Sequence, residues 1–339
     1  MDVDFLVIGA GLAGAATAYQ LRRRLGAAQA GTDKRILVVE KEMQPGVHSS
    51  GRNAAQIRRQ NDDPAVAELI RRGADVLATG ELAEFRRTGS VLVGLGDDDA
   101  SAHFSPARGR GLWCPDDGII DVAALLESYL RGQEVLYGVE VLGWDEPQSI
   151  GAGTSRPLRV RTNRTEINAQ VVINAAGPWA GTLGRLPLTP MNRHLFMTPP
   201  MDRIDPDWPF VWDVVNGYYL RPESGGLLLC ACDEQPAPPG QYDEDPAVAL
   251  RLEDLIHRHQ PGLGELRIMR SWVGQRTFAP DRRLVIGFDA RDRRVFHVAA
   301  LGGNGVATSL AIGALAADLL LGSNEPGSNP FDPARLRLG

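Results

Sequence analysis

The chain has 339 residues, enough for two domains or for one nucleotide-binding domain with a second inserted, and its 43% hydrophobic and 23% charged content is that of a globular enzyme. Basic residues number 36 and acidic residues 42, a net charge of −6 that argues against a nucleic-acid partner. No apolar stretch approaches the length of a transmembrane span and the first strand leaves no room for a cleavable signal, so the expectation is a cytoplasmic protein.

Asp4-Phe5-Leu6-Val7-Ile8 reads as a short buried strand that runs directly into Gly9-Ala10-Gly11-Leu12-Ala13-Gly14, with Ala15, Ala16 and Ala18 continuing as a helix. A second apolar run, Ile36-Leu37-Val38-Val39, closes on Glu40. Together these make a dinucleotide-binding βαβ unit. Gly9 permits the tight turn, Gly11 lets the backbone approach a pyrophosphate, and Gly14 lets the helix lie close to the sheet. Unpaired N–H groups and the dipole at the helix N-terminus favour the anion. Glu40 can accept hydrogen bonds from the adenosine ribose, and an acid there disfavours a 2′-phosphate, so NADP is not expected.

Further βα repeats do not follow. After Glu40 comes a loop of small and polar residues, Gln44 to Asn53, then a helix over about 63–77 with Pro64 suited to its first turn. Residues 90–95 and 135–144 read as strands, and Asp121 can cap a helix over about 121–131. Ala169 to Asn174 is a buried strand ending in Ala175-Ala176-Gly177, small residues that suit a sheet passing close to a bound nucleotide. From about 187 to 270 proline is frequent, and the alternating runs Gly217 to Arg221 and Gly226 to Ala231 predict an antiparallel sheet. Cys230 and Cys232 fall on one face of the latter strand and read as small buried residues; with Cys114 they make neither a disulfide framework nor a metal-site spacing. Arg22-Arg23-Arg24, Arg71-Arg72 and Arg282-Arg283 read as solvated faces. Near the end, Arg294 to Ala300 predicts a strand, and Gly302-Gly303-Asn304-Gly305 opens a helix to about Leu321. NAD needs one glycine-rich helix N-terminus; a flavin dinucleotide stretched across the sheet can use the first for its pyrophosphate and the last for the pyrimidine edge of its ring.

Four segments carry a resemblance to a known family: Gln44 to Ala55, Asn174-Ala175-Ala176-Gly177-Pro178-Trp179, Tyr218-Tyr219-Leu220-Arg221-Pro222 and Gly302-Gly303-Asn304-Gly305. In these the chain resembles the FAD-dependent D-amino-acid oxidase superfamily, in particular the branch holding D-arginine dehydrogenase, sarcosine oxidase and its multi-subunit β chain. The resemblance implies an α/β fold in which a Rossmann-type FAD-binding domain (residues 1–85, 135–186 and 271–339) is interleaved with an α+β substrate domain based on an antiparallel sheet (86–134 and 187–270). It implies FAD contacts from Gly9, Gly11, Leu12, Ala13 and Gly14, then from Glu40, Lys41 and Val139. His48, Ser49, Ser50, Gly51, Arg52, Asn53, Ala54 and Ala55 supply a second group of contacts, and Ala175, Ala176, Gly177 and Trp179 a third. Arg276, Gly302, Gly303, Asn304, Gly305, Val306 and Ala307 complete the set.

The activity implied is oxidation of the C–N bond of a small amino acid, D- or N-alkylated, by hydride transfer to flavin N5, giving an imino acid. Such chemistry needs the substrate carbon against the ring, its carboxylate clamped and its amine deprotonated. The resemblance points to Arg276 for the clamp, where a planar guanidinium takes both carboxylate oxygens at once. Tyr219 matches a tyrosine that helps hold the same group, Arg193 is a third candidate, and Arg58 sits where the sarcosine oxidase β chain has a carboxylate-binding arginine. Gln56 stands where the D-arginine enzyme has a histidine near the flavin, and Ser90 where it has the glutamate that receives the cationic side chain, so arginine and lysine are disfavoured as substrates. The segment of about 95–115 looks shorter than in relatives, which alters the pocket mouth. Arg58 beside Arg276 would suit an additional anionic group on the substrate.

The strand Gly226 to Cys230 lacks the lysine with which monomeric sarcosine oxidase activates oxygen. The expectation is therefore a dehydrogenase passing electrons to a quinone or carrier protein, with oxygen as the disfavoured acceptor. His48 aligns with the histidine that carries FAD covalently in dimethylglycine dehydrogenase but also occurs in relatives with free FAD, so non-covalent binding with His48 near the isoalloxazine is expected. Two other readings stay open. One is an FAD-dependent dehydrogenase of a 2-hydroxy acid or glycerol phosphate; the other is a flavin-bearing subunit of a multi-subunit amine dehydrogenase, assembled with partner subunits.

Overall fold

The computed structural model describes residues 1–28, 34–106, 109–145, 156–323 and 329–336; within the segments singled out above, 107–108, 146–155, 324–328 and 337–339 lie outside the described residues. The strand Asp2–Ile8 lies at the centre of an eight-stranded sheet. Ile36–Glu40 and then Glu134–Tyr137 pair parallel on one side of it, and Glu166–Asn174 and then Val295–Ala299 pair parallel on the other. Val285–Phe288 closes the edge antiparallel, and Leu158–Thr162 and Val141–Trp144 form an antiparallel meander on Glu166–Asn174. The strand order reverses between Asp2–Ile8 and Glu166–Asn174, and the carboxyl ends of parallel strands at such a reversal leave a crevice for a ligand.

Burial on both faces explains the unbroken apolar runs. Phe5 and Val7 pack towards the helices Leu12–Ala28 and Gly305–Leu320, while Leu6 and Ile8 pack with Val160, Ile167 and Val172 on the meander side. Each such side chain contributes roughly 1.5–3 kcal/mol by leaving water. Gly313 lets the two helices touch at the backbone, for a Cβ there would stand 2.4 Å from the Ala16 carbonyl oxygen. The helix Pro64–Leu77 starts at Asp63, whose carboxylate accepts from the N–H groups of Ala65 and Val66, and Val122–Leu130 starts at Asp121, which accepts from Ala124. No helix among the described residues is long and apolar enough to cross a membrane.

The second large sheet runs Gln235–Pro236, Thr189–Met197, Gly226–Cys230, Tyr218–Glu223, Phe210–Asp213, Ser90–Asp99, Arg110–Cys114, with Arg270–Phe278 also on Thr189–Met197. Two features depart from the sequence expectations. Phe210–Asp213 pairs parallel with Ser90–Asp99, so the sheet is not wholly antiparallel. Arg270–Phe278, most of it assigned by sequence to the nucleotide domain, is a strand of this second sheet, registered from Thr189↔Phe278 to Met197↔Arg270. Its far end returns the chain to the first sheet, so the strand bridges the two. The helix Pro246–His259 covers the outer face with Val248, Leu252 and Ile256, one side of a helix at four-residue spacing. Strand alternation then sorts the tyrosines: Tyr218 and Leu220 pack under that helix, while Tyr219 faces the other way, with Ala54, Phe210 and Cys230. A small sheet of Gln56–Ile57, Gly118–Ile120 and Phe85–Arg86 lies in the chain segments that link the two large sheets.

Candidate functional site

Three connected chambers follow the crevice. The first, about 300 Å³, is lined by Gly9, Gly11, Glu40, Lys41, Val139 and Trp179, among others. Gly9 turns at φ +101°, and a Cβ there would meet the Ala175 carbonyl oxygen at 2.6 Å; a Cβ on Gly14 would stand 2.0 Å from the Gly9 oxygen. The two glycines therefore fix the turn and the helix position against the end of the Glu166–Asn174 strand. Gly14 itself lines none of the chambers; it acts through this packing. Glu40 is 8% exposed and its carboxylate accepts from the N–H groups of Ala10 (2.8 Å) and Glu42 (3.0 Å), which anchors the second strand to the glycine turn. Trp179, with Ala176 and Gly177, forms another wall, and the Lys41 ammonium sits 3.4 Å from the centroid of the Trp179 ring.

His48 belongs to this first chamber. Its Nε2 is 2.8 Å from Glu42 Oε1, its Nδ1 is 2.7 Å from the Tyr242 hydroxyl, and its ring meets Trp179 edge-on. His48 thus lines the Glu40 chamber and neither of the two chambers that contain Arg276.

The second chamber, about 130 Å³, shares Gly11, Ser49, Ser50, Ala175 and Gly177 with the first and adds Leu12, Ala13, Arg52 and Asn53. Its far wall is Arg276 with Gly302, Gly303, Gly305 and Val306. Ser50 Oγ accepts from the Leu12 N–H at the helix start (3.0 Å). Arg52 is a brace, donating to the carbonyls of Val47 and Val273, and Asn53 Oδ1 accepts from Ala55 N, holding Ala55 at φ +56°. At the other end, Gly302 (φ +56°) and Gly303 (φ +91°) lead into Gly305–Leu320, whose N-terminus has no side-chain cap. Its orphan N–H groups and dipole are directed at whatever fills the chamber. A two-ended trough with a helix N-terminus at each end, too tight at Gly9 for any Cβ, fits an extended flavin dinucleotide.

The third chamber, about 660 Å³, shares Asn53, Arg276, Gly302, Gly303 and Val306 with the second. It brings together all the candidate catalytic residues, Gln56, Arg58, Arg193, Tyr219 and Arg276, with Ala54, Ala55, Asn304 and Ala307 around them. Gly51 is the loop candidate that lines none of the three chambers; it borders a neighbouring hollow beside Arg221 and Trp272, which Ser50, Asn53 and Ala55 also line. Tyr219 is 2% exposed and its hydroxyl has no hydrogen-bond partner among the described residues; neither have Gln56 Nε2 and Arg193 Nε. Burial holds the Tyr219 pKa well above the ordinary phenol value, although Arg276 and Arg193 beside it oppose the shift, so the hydroxyl stays a donor.

Several residues differ from their sequence reading. Ser90 does not face the chamber: fully buried, it donates to Asp117 Oδ2 at 2.6 Å. Arg193 does face it, but one end of its guanidinium is paired with Glu234 at 2.8 Å. Arg282 is exposed, as the sequence suggests, but also borders the chamber and pairs with Glu234, while Arg283 pairs with Asp63. The strand Gly226–Cys230 stops short of Cys232, which, at φ +49°, turns onto the chamber wall with its N–H 3.3 Å from Cys230 Sγ. The Cys230 thiol is buried, which raises its pKa, but the Cys232 hydrogen bond and the nearby Arg193 and Arg276 outweigh this and lower it. Trp212 was missed; its ring lies 4.0 Å from the Arg58 guanidinium carbon. Nothing local in the sequence signals that partnership, because the two residues lie far apart in the chain.

Comparison with known proteins gives a consistent picture. The family described as FAD dependent oxidoreductase matches residues 4–319. Mitochondrial dimethylglycine dehydrogenase of Rattus norvegicus is 29% identical over 164 residues, 46% of this chain and 18% of that protein. Glycine oxidase of Bacillus licheniformis is 23% identical over 236 residues, 65% of this chain and 60% of the enzyme. The chain thus spans less than two thirds of either of these relatives. The crystal structure of L-proline dehydrogenase from P. horikoshii has the same fold, with a TM-score of 0.84, 21% identity, and coverage of 98% of this chain and 97% of that one.

Proposed function

Because the chain belongs to the FAD-dependent oxidoreductase family and its cofactor is FAD, we propose that it oxidises the C–N bond of a small amino acid, D- or N-alkylated, to the imino acid. The observation that carries this reading is the donor set of the third chamber: Arg276, with no ion-pair partner among the described residues, beside the unpartnered Tyr219 hydroxyl. Buried donors without acceptors call for an anion, and a substrate carboxylate supplies one. The names of the relatives, dimethylglycine dehydrogenase and glycine oxidase, agree with an amino-acid substrate.

In this proposal Gly9 to Gly14, Glu40, Lys41, Val139 and Trp179 hold the nucleotide end of FAD, and Ser49 to Asn53 the middle. Arg276 and Gly302 to Ala307 would border the ring. FAD supplies the hydride acceptor, flavin N5. Arg276 and Tyr219 fix the carboxylate and so orient the carbon that loses hydride; Arg193, tied to Glu234, directs its free Nε towards the same group. The uncapped helix at Gly305 stabilises negative charge developing at its N-terminus.

A dehydrogenase is favoured over an oxidase. The chain has two lysines, Lys34 and Lys41; Lys34 pairs with Asp4 and Lys41 lines the first chamber, so neither stands over the third. The test is to load the protein with FAD and titrate it without oxygen against D-, N-methyl and 2-hydroxy acids. Bleaching of the visible flavin bands by an amino acid is the expected result. Bleaching by a 2-hydroxy acid alone would replace this reading with the alcohol one, and a flavin that none of them reduces would overturn it. Re-oxidation by a quinone analogue, fast against re-oxidation by oxygen, is expected of the dehydrogenase.

A further inference from the structure

The third chamber contains more positive charge than one carboxylate needs. Four arginines line it, and their partners can be counted. Arg193 and Arg282 share Glu234, at 2.8 and 2.9 Å. Of the other acids on the wall, Asp63 is taken by Arg283 and Asp281 by Arg335. Asp62 is exposed at the rim and makes no ion pair among the described residues. That leaves Arg276 and Arg58 with no carboxylate within ion-pair distance.

Arg58 is the unexplained one. Its guanidinium stacks on Trp212 at 4.0 Å, a contact that holds the plane and leaves the edge donors free. Beside it on the chain, Gln56 Nε2 is buried and also lacks an acceptor. Burial lowers the Arg58 pKa; Asp117 and Asp62 oppose this only from a distance, and Asp117 is already committed to Ser90 and to the Arg59 backbone. Arg58, Arg276 and Cys232 line the same chamber, so the two guanidiniums without a carboxylate partner share one space. Two uncompensated cations in a partly desolvated chamber repel each other, and a chain folds around such a pair when the ligand brings the missing charge.

We propose that the substrate is a dicarboxylate: a small amine whose α-carboxylate is held by Arg276 and Tyr219 and whose second carboxylate, on a short side chain or N-alkyl arm, is held by Arg58 on its Trp212 platform with Gln56. This rests on the amino-acid reading of the site for its chemistry, but not for its binding. A monocarboxylate leaves Arg58 and Gln56 unsatisfied, so selection comes from the distal group.

The experiment uses the FAD-loaded protein and two readouts. First, malonate, succinate and glutarate are compared with acetate, propionate and butyrate as ligands, by perturbation of the flavin spectrum. The best dicarboxylate is expected to bind roughly 10- to 100-fold tighter than its monocarboxylate counterpart, the worth of one charge-assisted bidentate contact. Arg58→Ala and Arg58→Gln should weaken dicarboxylates far more than monocarboxylates and so erase that ratio, with flavin content as the check on folding, and Arg58→Lys should restore part of it. Second, iminodiacetate against sarcosine, and D-aspartate and D-glutamate against D-alanine, are compared in anaerobic flavin reduction, with the same ordering expected. Equal binding of the two ligand series in the unaltered protein, or loss of both series alike in every Arg58 variant, overturns the proposal. If dicarboxylates bind selectively but no amino acid reduces the flavin, the dicarboxylate site stands and the amino-acid reaction falls.

Discussion

Glu40 accepts a hydrogen bond from the backbone N–H of Ala10 at 2.8 Å, so the acid at the end of one strand closes the glycine turn that begins at the end of its neighbour. The second carboxylate oxygen takes the Glu42 N–H. An acid read from sequence as a ribose acceptor is thus also a structural clasp.

Glu40→Ala should therefore cost the protein twice. The buried Ala10 N–H loses its acceptor, at about 1–3 kcal/mol, and FAD binding should weaken by roughly 10- to 100-fold. Titration of the apoprotein with FAD, and thermal melting of the apoprotein alone, separate the two effects. An unchanged melting point would show that the clasp carries no stability.

Tyr219→Phe removes a hydroxyl that has no partner among the described residues. Fold stability should hold or rise slightly, because no protein hydrogen bond is lost. The substrate Kd from flavin-reduction titration should rise roughly 10-fold, with a smaller change in the limiting rate. Since burial keeps the phenol protonated, no pH inflection in the wild-type profile should belong to Tyr219.

Both ring nitrogens of His48 are engaged, one with Glu42 and one with Tyr242. A covalent link to the flavin would have to break one of these contacts. Denaturation in acid should release all the flavin into the supernatant, and yellow protein in the pellet would show a tether.

Asp289 is buried, which by itself would raise its pKa, but hydrogen bonds from Arg291 and His297 override this and hold it well below the ordinary carboxylate range. Because the folded value is the lower one, the stabilisation is complete above the unfolded value near 4 and drains away as the pH falls below it. Asp289→Asn should lose roughly 3 kcal/mol at neutral pH, as expected for breaking a buried pair. Its melting temperature should also fall less steeply than that of wild type between about pH 4.5 and pH 2.5. Parallel pH–melting curves for the two proteins would count against the network.

What could be read from sequence was what local pattern encodes. The glycine turn, the strands on either side of it, Pro64 in the first turn of its helix and the cap at Asp121 each depend on neighbours within a few residues, and the structure has them. Tyr219 over Tyr218 was legible only through resemblance; strand alternation now gives the physical reason. What escaped is what the chain makes by pairing distant segments. Ser90 turns inward because Asp117, on a separate strand connection, claims its hydroxyl. Glu234 neutralises Arg193 and Arg282 from a loop whose course no periodicity predicts. Trp212 meets Arg58, which follows the short strand Gln56–Ile57 of a different sheet, so the contact joins segments far apart in the chain.

The Gly302–Gly303 turn has a consequence for how this protein can change. A Cβ on Gly303 would come within 2.7 Å of Arg276 Nε, so the arginine side chain rests on the bare backbone of the turn from which Gly305–Leu320 starts. One loop thereby sets the height of the carboxylate anchor and the aim of the helix dipole together. In the proposed site, affinity for the substrate and the electron-accepting strength of the flavin would therefore change together. A lineage drifting towards a new substrate would have to find its variation at the opposite wall, around Arg58 and Trp212, and leave this turn alone.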